Sequence, residues 1–219
     1  MSDEELAAYS LVELAVDRLR RDILSGRTDP GERLVEEQLT RRLGISRAPL
    51  REAMRLLAQQ GLVEHIPRRG ARVATLSDDD VRELYEVRDV LERHAITTMP
   101  ATPDLTGLRA ALDVMRKATE TDDRLELANA HRRFHTEVVR LGGNRQLTEL
   151  YESILVRIQL YMAVNMRREA ETARAEDGVR RHEQLFAAVE TGDAEAVRAT
   201  LGRHGARTYL TKQTRTYLT

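Results

Sequence analysis

Between residues 34 and 75 the apolar positions change period, and the change predicts two helices followed by two strands. Leu34, Val35, Leu39 and Leu43 recur at helical spacing and stop at Gly44, a residue that tolerates the left-handed conformation of a helix end. A second helix starts at Ser46, whose hydroxyl is available as an N-cap. It carries Pro49 in its first turn, where a missing N–H costs little, and ends before Gly61. At about 100° per residue, Leu50, Ala53, Met54 and Leu57 share one arc of this helix and Arg47, Arg51 and Arg55 share another. One face is built to pack and the other to meet an anion. Residues 62–66 and 71–75 then read as strands joined by the turn Pro67-Arg68-Arg69-Gly70.

From residue 77 onward long helical periodicity replaces this pattern. Ser77 with Asp78, Asp79 and Asp80 caps and charges a helix start, and Val81, Leu84, Tyr85, Val87, Leu91 and Ala95 follow at helical spacing. Pro100 and Pro103 separate this helix from a second through Leu105, Leu108, Leu112 and Met115. Thr121-Asp122-Asp123 opens a third, which ends at Leu141-Gly142-Gly143-Asn144, and a fourth spans about 145–167. The last two are expected over 171–190 and 193–212, divided by Thr191-Gly192-Asp193. The pattern therefore predicts a mainly α chain: an N-terminal tail (1–9), a winged helix-turn-helix domain (10–76), an all-α six-helix antiparallel bundle (77–213) and a C-terminal tail (214–219).

Charge sharpens the reading of the first domain. The 219-residue chain has a formal net charge of −1, yet residues 41–72 hold eight arginines against Glu52 and Glu64, a net of +6 that leaves −7 for the rest. A local excess of this kind suits phosphate neutralisation, and arginine can also read guanine in the major groove. An arginine stripe on an amphipathic helix is often only a solvated face. The order of parts decides for double-stranded DNA: helix, tight turn, capped basic helix, strand, basic turn, strand. Cysteine is absent, which excludes disulfides, thiolate metal sites and cysteine nucleophiles. No apolar run approaches the roughly 20 residues of a membrane span, and the acidic start is unlike a signal peptide, so no membrane partner and a cytoplasmic location are expected. The preference for arginine, with only two lysines, suits a G+C-rich genome and carries no function.

The candidate chemistry of the bundle lies in its histidines. His131 and His135 are four apart and share a helix face, and His182 and His204 fall on the last two helices. Neutral imidazole is a good ligand for zinc, nickel, copper or iron(II), and bundles supply such sites from facing side chains. A histidine in such a chain is as often a surface or hydrogen-bonded core residue, so spacing alone leaves both readings open. His65 and His94 lack companions and read as structural. His131-Arg132-Arg133-Phe134-His135 lacks the glutamate of the HExxH metalloprotease pattern, which argues against an enzyme.

Residues 10 to about 75 closely resemble the N-terminal domain of GntR-type bacterial transcription regulators. The marks are Ser10 with Glu13 as a capping box, Ile23-Leu24-Ser25-Gly26, Asp29-Pro30-Gly31 and the run from Gly44 to Ala53. The resemblance implies that Ser46, Arg47 and Arg51 contact the operator and that Arg68, Arg69 and Gly70 bring the wing near the minor groove. Some members carry a further arginine where this chain has Glu37, so that position is not assigned to DNA. Residues 78 to about 212 resemble the FCD effector domain of the FadR branch, and six helices suit its VanR-like subgroup. The marks are the run from Tyr85 to Glu92, His131 to His135 ahead of Gly143-Asn144, His182 with Ala187-Ala188-Val189, Gly192-Asp193, and His204.

This second resemblance implies a divalent transition metal, zinc or nickel, held by His135, His182 and His204. His131 stands where metal-binding members commonly use an aspartate, which makes the site one unit more positive and suits an anionic effector. It further implies a small carboxylate effector paired by Arg88, a homodimer on a roughly twofold operator, and repression released by ligand. Arg88 could instead pair with Glu92 on a helix surface. The alternatives are a metal-free regulator with a larger organic ligand, or a metal-dependent bundle enzyme.

Overall fold

The computed structural model describes the backbone of residues 3–169 and 175–204, and the side-chain surroundings of residues 11–162 and 178–202. The chain divides into two compact units, Met1–Leu76 and Ser77–Thr219.

The first unit runs α1 (Asp3–Leu24), β1 (Arg33–Leu34), α2 (Glu36–Leu43), α3 (Arg47–Gln59), β2 (Val63–Ile66) and β3 (Gly70–Val73). Its strands form an antiparallel sheet in the order β1-β3-β2, with Leu34 opposite Ala71 and Val63 opposite Val73. Helix α3 packs on α1. Leu50, Ala53, Met54 and Leu57 are no more than 1% exposed, and Leu19 and Ile23 of α1 are equally buried. Each large side chain so buried stabilises the unit by about 1.5–3 kcal/mol. Gly44 ends α2 at φ 68°, its N–H donating to the Thr40 carbonyl at 2.9 Å, and this left-handed residue turns the chain into α3.

Several expectations need correction. Helix α1 runs Asp3–Leu24, so Ser10 lies inside the helix and is not its cap. The acidic start Asp3-Glu4-Glu5 suits a helix N-terminus, and no glycine or proline interrupts the run that follows. Leu34 lies in a strand, because the chain pairs with β3 before α2 starts. Ser46 occupies the N-cap position with extended backbone, but its side chain makes no capping hydrogen bond. Both wing strands are shorter than expected.

The second unit comprises α4 (Asp78–Thr97), α5 (Thr106–Glu120), α6 (Arg124–Arg140), α7 (Arg145–Glu169), α8 (Ala175–Glu190) and α9 (Ala194–His204). Ser77 and Asp80 form a reciprocal capping box at α4, and the Asp123 carboxylate accepts from the Glu126 N–H at 3.0 Å to start α6. The core gathers Ile96, Leu108, Leu112, Met115, Phe134, Val138, Leu185, Val189 and Val197. At Gly192, φ is 70° and an added Cβ would lie 2.1 Å from the Ala101 carbonyl oxygen, so the α8–α9 turn fits against the loop before α5 only with glycine there. The expected last helix to residue 212 and the tail 214–219 lie largely outside the described residues, which end at His204.

Helix α4 departs from its apolar pattern in one telling way. Val87 and Val90 are 46% and 63% exposed, whereas Arg88 and Glu92 are buried. A charged pair that satisfies itself takes the inward positions, and the valines turn out.

Candidate functional sites

In the bundle, the i, i+4 spacing on α6 sets His131 and His135 one above the other, and α8 brings His182 against them. The ring centroids lie 4.7 Å (131–135), 4.9 Å (131–182) and 5.3 Å (135–182) apart. One nitrogen from each ring falls within 4.8 Å of the others, and all three residues are buried. Phe134 stands edge-on to His182 at 5.1 Å and helps to close the site on the core side. His204 ends α9, and its side chain lies outside the described residues.

The tautomer of His182 is set by its neighbour. Its Nδ1 is 2.7 Å from the Gly178 carbonyl oxygen, an atom that can only accept, so Nδ1 carries the proton and Nε2 keeps the lone pair. Burial pushes the His182 pKa down to about 4, against the opposing pull of that carbonyl, with Arg88 and Arg181 lowering it further. The ring is therefore neutral at physiological pH, as a metal ligand must be. Three imidazoles around a zinc-sized ion would have nitrogens roughly 3.4 Å apart. The observed spread, up to 4.8 Å, is wider than that, so the rings would have to draw together around an ion. A ligand ring whose other nitrogen donates to a carbonyl is the usual outer support of a metal-bound histidine. The residues present fit such an ion.

Beside the histidines lies a buried polar network. Arg88 Nε and Nη2 each lie 3.0 Å from Glu92 Oε1, and Nη2 also lies 3.0 Å and 3.3 Å from His135 Nδ1 and Nε2. The same carboxylate oxygen accepts from the Tyr151 hydroxyl and lies 3.1 Å from His135 Nδ1. Burial opposes the charge on Arg88, but Glu92, aided by Tyr151 and Tyr85, holds the guanidinium pKa above its ordinary value. Burial, reinforced by Glu92, raises the Tyr151 hydroxyl well above the usual tyrosine range, so it remains a donor. Arg88 therefore does pair with Glu92, yet inside the bundle and against His135, not on a helix surface. Sequence reasoning missed Tyr151 and treated Glu92 only as a surface alternative. The i, i+4 Arg–Glu pair on a helix with displaced apolar positions was the available signal.

In the first unit, α3 sends Arg47, Arg51 and Arg55 to the exposed side, with Ser46 at the helix start. The Arg51 Nε lies 2.9 Å and 3.1 Å from the two Glu36 oxygens, and Arg55 pairs with Glu52. Among the described residues no carboxylate pairs with Arg47, Arg68 or Arg69. The wing closes through the Arg69 N–H on the Ile66 carbonyl at 3.0 Å, with Pro67 and Arg68 as central residues. Arg68 takes a φ of 64° and Gly70 one of 84°. A turn with proline first and positive φ second prefers glycine at the second place. An arginine held there is local strain at the tip of a basic turn, where function is the usual reason. Arg68, Arg69 and Gly70 are all exposed.

Comparison with known proteins agrees with this division. A family model described as "Bacterial regulatory proteins, gntR family" matches residues 11–73, and one described as "FCD domain" matches residues 83–207. The chain is 34% identical over 187 residues to the HTH-type transcriptional regulator YdhC of Bacillus subtilis (strain 168), covering 83% of this chain and 82% of the relative. It is 27% identical to the gluconate operon transcriptional repressor of Bacillus licheniformis, over 81% of this chain and 74% of that one. A crystal structure of a GntR transcriptional regulator from Rhodococcus sp. RHA1 superposes with a TM-score of 0.78 at 27% identity, covering 95% and 98% of the two chains.

Proposed function

Since the chain belongs to the GntR family of bacterial transcription regulators, with a DNA-binding domain of that family followed by an FCD domain, we propose that it is a ligand-responsive repressor of the FadR branch, VanR-like subgroup. The family is one of regulators and not of enzymes, and its helix-turn-helix domain binds operator DNA. No described helix is long and apolar enough to cross a membrane. Several relatives are named as repressors.

In this reading Ser46, Arg47 and Arg51 contact the operator, and Arg68, Arg69 and Gly70 carry the wing. His131, His135 and His182, with His204, hold a divalent zinc or nickel ion, and that ion binds a small carboxylate. The observation that carries the reading is the meeting of three buried histidines, one with its tautomer set for ligation, beside a buried arginine. Charge counting supports an anionic effector. Arg88 and Glu92 cancel and the imidazoles are neutral, so a divalent ion leaves the pocket at about +2, a charge that favours a carboxylate entering from water. The domain and tail boundaries expected from the sequence enter this proposal, with α1 reaching back to Asp3. A homodimer is part of it: Val87 and Val90 on α4 and Leu150 on α7 are exposed, and these two helices pack together, so a second copy could cover them.

Thermal unfolding tests the pocket. Zinc or nickel alone should raise the Tm, and a small dicarboxylate should raise it further only when metal is present. A dicarboxylate shift of equal size without metal would overturn the metal-bridged reading. It would favour a metal-free pocket, the arrangement in which Arg88 keeps its contact with His135.

A further inference from the structure

Glu36 is an acidic residue on a face that meets a polyanion, and its side chain is only 33% exposed. It opens α2, which packs against α3, and its carboxylate takes the Nε of Arg51 from across the helix pair at 2.9 Å and 3.1 Å. Two neighbouring pairs are local, Arg55 held by Glu52 three residues away on its own helix and Arg41 by Glu37 four residues away, while Arg42 reaches back from α2 to Asp22 of α1 at 3.0 Å. A local pair tidies one helix, whereas a cross-helix pair fixes the plane of a guanidinium relative to the whole reading head. The surroundings of Glu36 are cationic. Arg51 holds its carboxyl below the usual range, with Arg47 and His65 adding to the effect, so the charge is permanent at working pH.

An arginine meets DNA in two ways. Against phosphate it needs only charge, and a neighbouring carboxylate weakens that contact by repelling the backbone. Against guanine it needs orientation, because two N–H groups must face O6 and N7 together; adenine offers a donor in place of one of those acceptors. With Nε engaged by Glu36, the terminal Nη1 and Nη2 edge of Arg51 is the part left for a base. We propose that Glu36 is a positioning residue that holds Arg51 with this edge toward a guanine in each half-site, giving up non-specific affinity for sequence selectivity. The proposal rests on the assignment of Arg51 to the operator made above.

The test uses the full chain, with sites selected from a random duplex pool by the wild type, E36Q and R51A. Anisotropy then gives affinities for the selected and a scrambled duplex. E36Q should lose the preference at one guanine per half-site, and its selected-to-scrambled affinity ratio should fall roughly tenfold or more. The scrambled duplex should bind as well or more tightly, because a repelling charge is gone. Metal content and Tm should not change, and E36D, which keeps the charge, should retain part of the ratio. If R51A loses the guanine while E36Q keeps both guanine and ratio, positioning by Glu36 is overturned. Equal weakening on both duplexes would reduce Glu36 to a structural support and also overturn it. If R51A itself keeps the guanine, the recognition-helix assignment fails, and this proposal falls with its premise.

Discussion

Replacing Arg68 by glycine and by alanine separates what the wing does for the fold from what it does for DNA. Arg68 sits at φ 64° in the turn closed by the Arg69 N–H on the Ile66 carbonyl. A residue with a Cβ in the left-handed region costs about 1–2 kcal/mol. Glycine removes that cost but returns about 0.4–1 kcal/mol through the added freedom of the unfolded chain. Arg68→Gly should therefore be more stable than Arg68→Ala by about 0.5–1 kcal/mol. Hydrogen exchange at the amides of β2 and β3 would read this as a roughly two- to fivefold difference in protection. The two variants remove the same charge, so on DNA they should match. Each should lose one phosphate contact, and the slope of log affinity against log salt should shrink by about 0.9 in both. Equal protection in the two variants would refute the strain argument. An unchanged salt slope would refute a contact between Arg68 and the DNA.

Three further outcomes follow from the same geometry. Arg88→Met alone leaves the Glu92 carboxylate buried without its cation, beside only the Tyr151 hydroxyl and His135, and should cost about 3–5 kcal/mol in denaturant titrations, whereas Arg88→Met with Glu92→Leu should recover most of that loss; additive costs would refute the buried pair. In metal-free protein His182 is neutral when folded and titrates near 6.5 when unfolded, so the unfolded state binds the extra proton. The His182 contribution to stability should then be constant above about pH 6.5 and fall as pH drops toward about 4, by at most about 1.4 kcal/mol per pH unit, a dependence that His182→Gln should remove. Arg47→Ala should remove operator selectivity while leaving metal content intact; retained selectivity would contradict the orientation of α3.

The parts of the fold that were legible in the sequence are those where one residue type repeats on one face. Helix α3 shows two stripes, apolar Leu50, Ala53, Met54 and Leu57 against the arginines, and both lie as the period requires. Strand β1 was hidden because two residues are too few to alternate, and Leu34 continued the helical spacing of Leu39 and Leu43. Helix α4 misled because a self-satisfied Arg88–Glu92 pair is buried where apolar residues are expected, which put Val87 on the wrong side. In the bundle site, local spacing alone brings His131 to His135. That His182 joins them depends on which helices pack, and this came from resemblance. Tyr151 was invisible, since an aromatic on an apolar helix face reads as core until a carboxylate is found at its hydroxyl. The hold of Glu36 on Arg51 likewise depends on the register of two helices across a turn, which no single-helix pattern records.

The central claim is that the buried histidines hold a metal ion. Elemental analysis of protein purified without a histidine tag or chelator, alongside His135→Ala prepared identically, tests it most directly. The account predicts close to one zinc or nickel per chain in the wild type and a large loss in the variant. Wild-type protein that arrives metal-free and takes up none on incubation with either ion would contradict it.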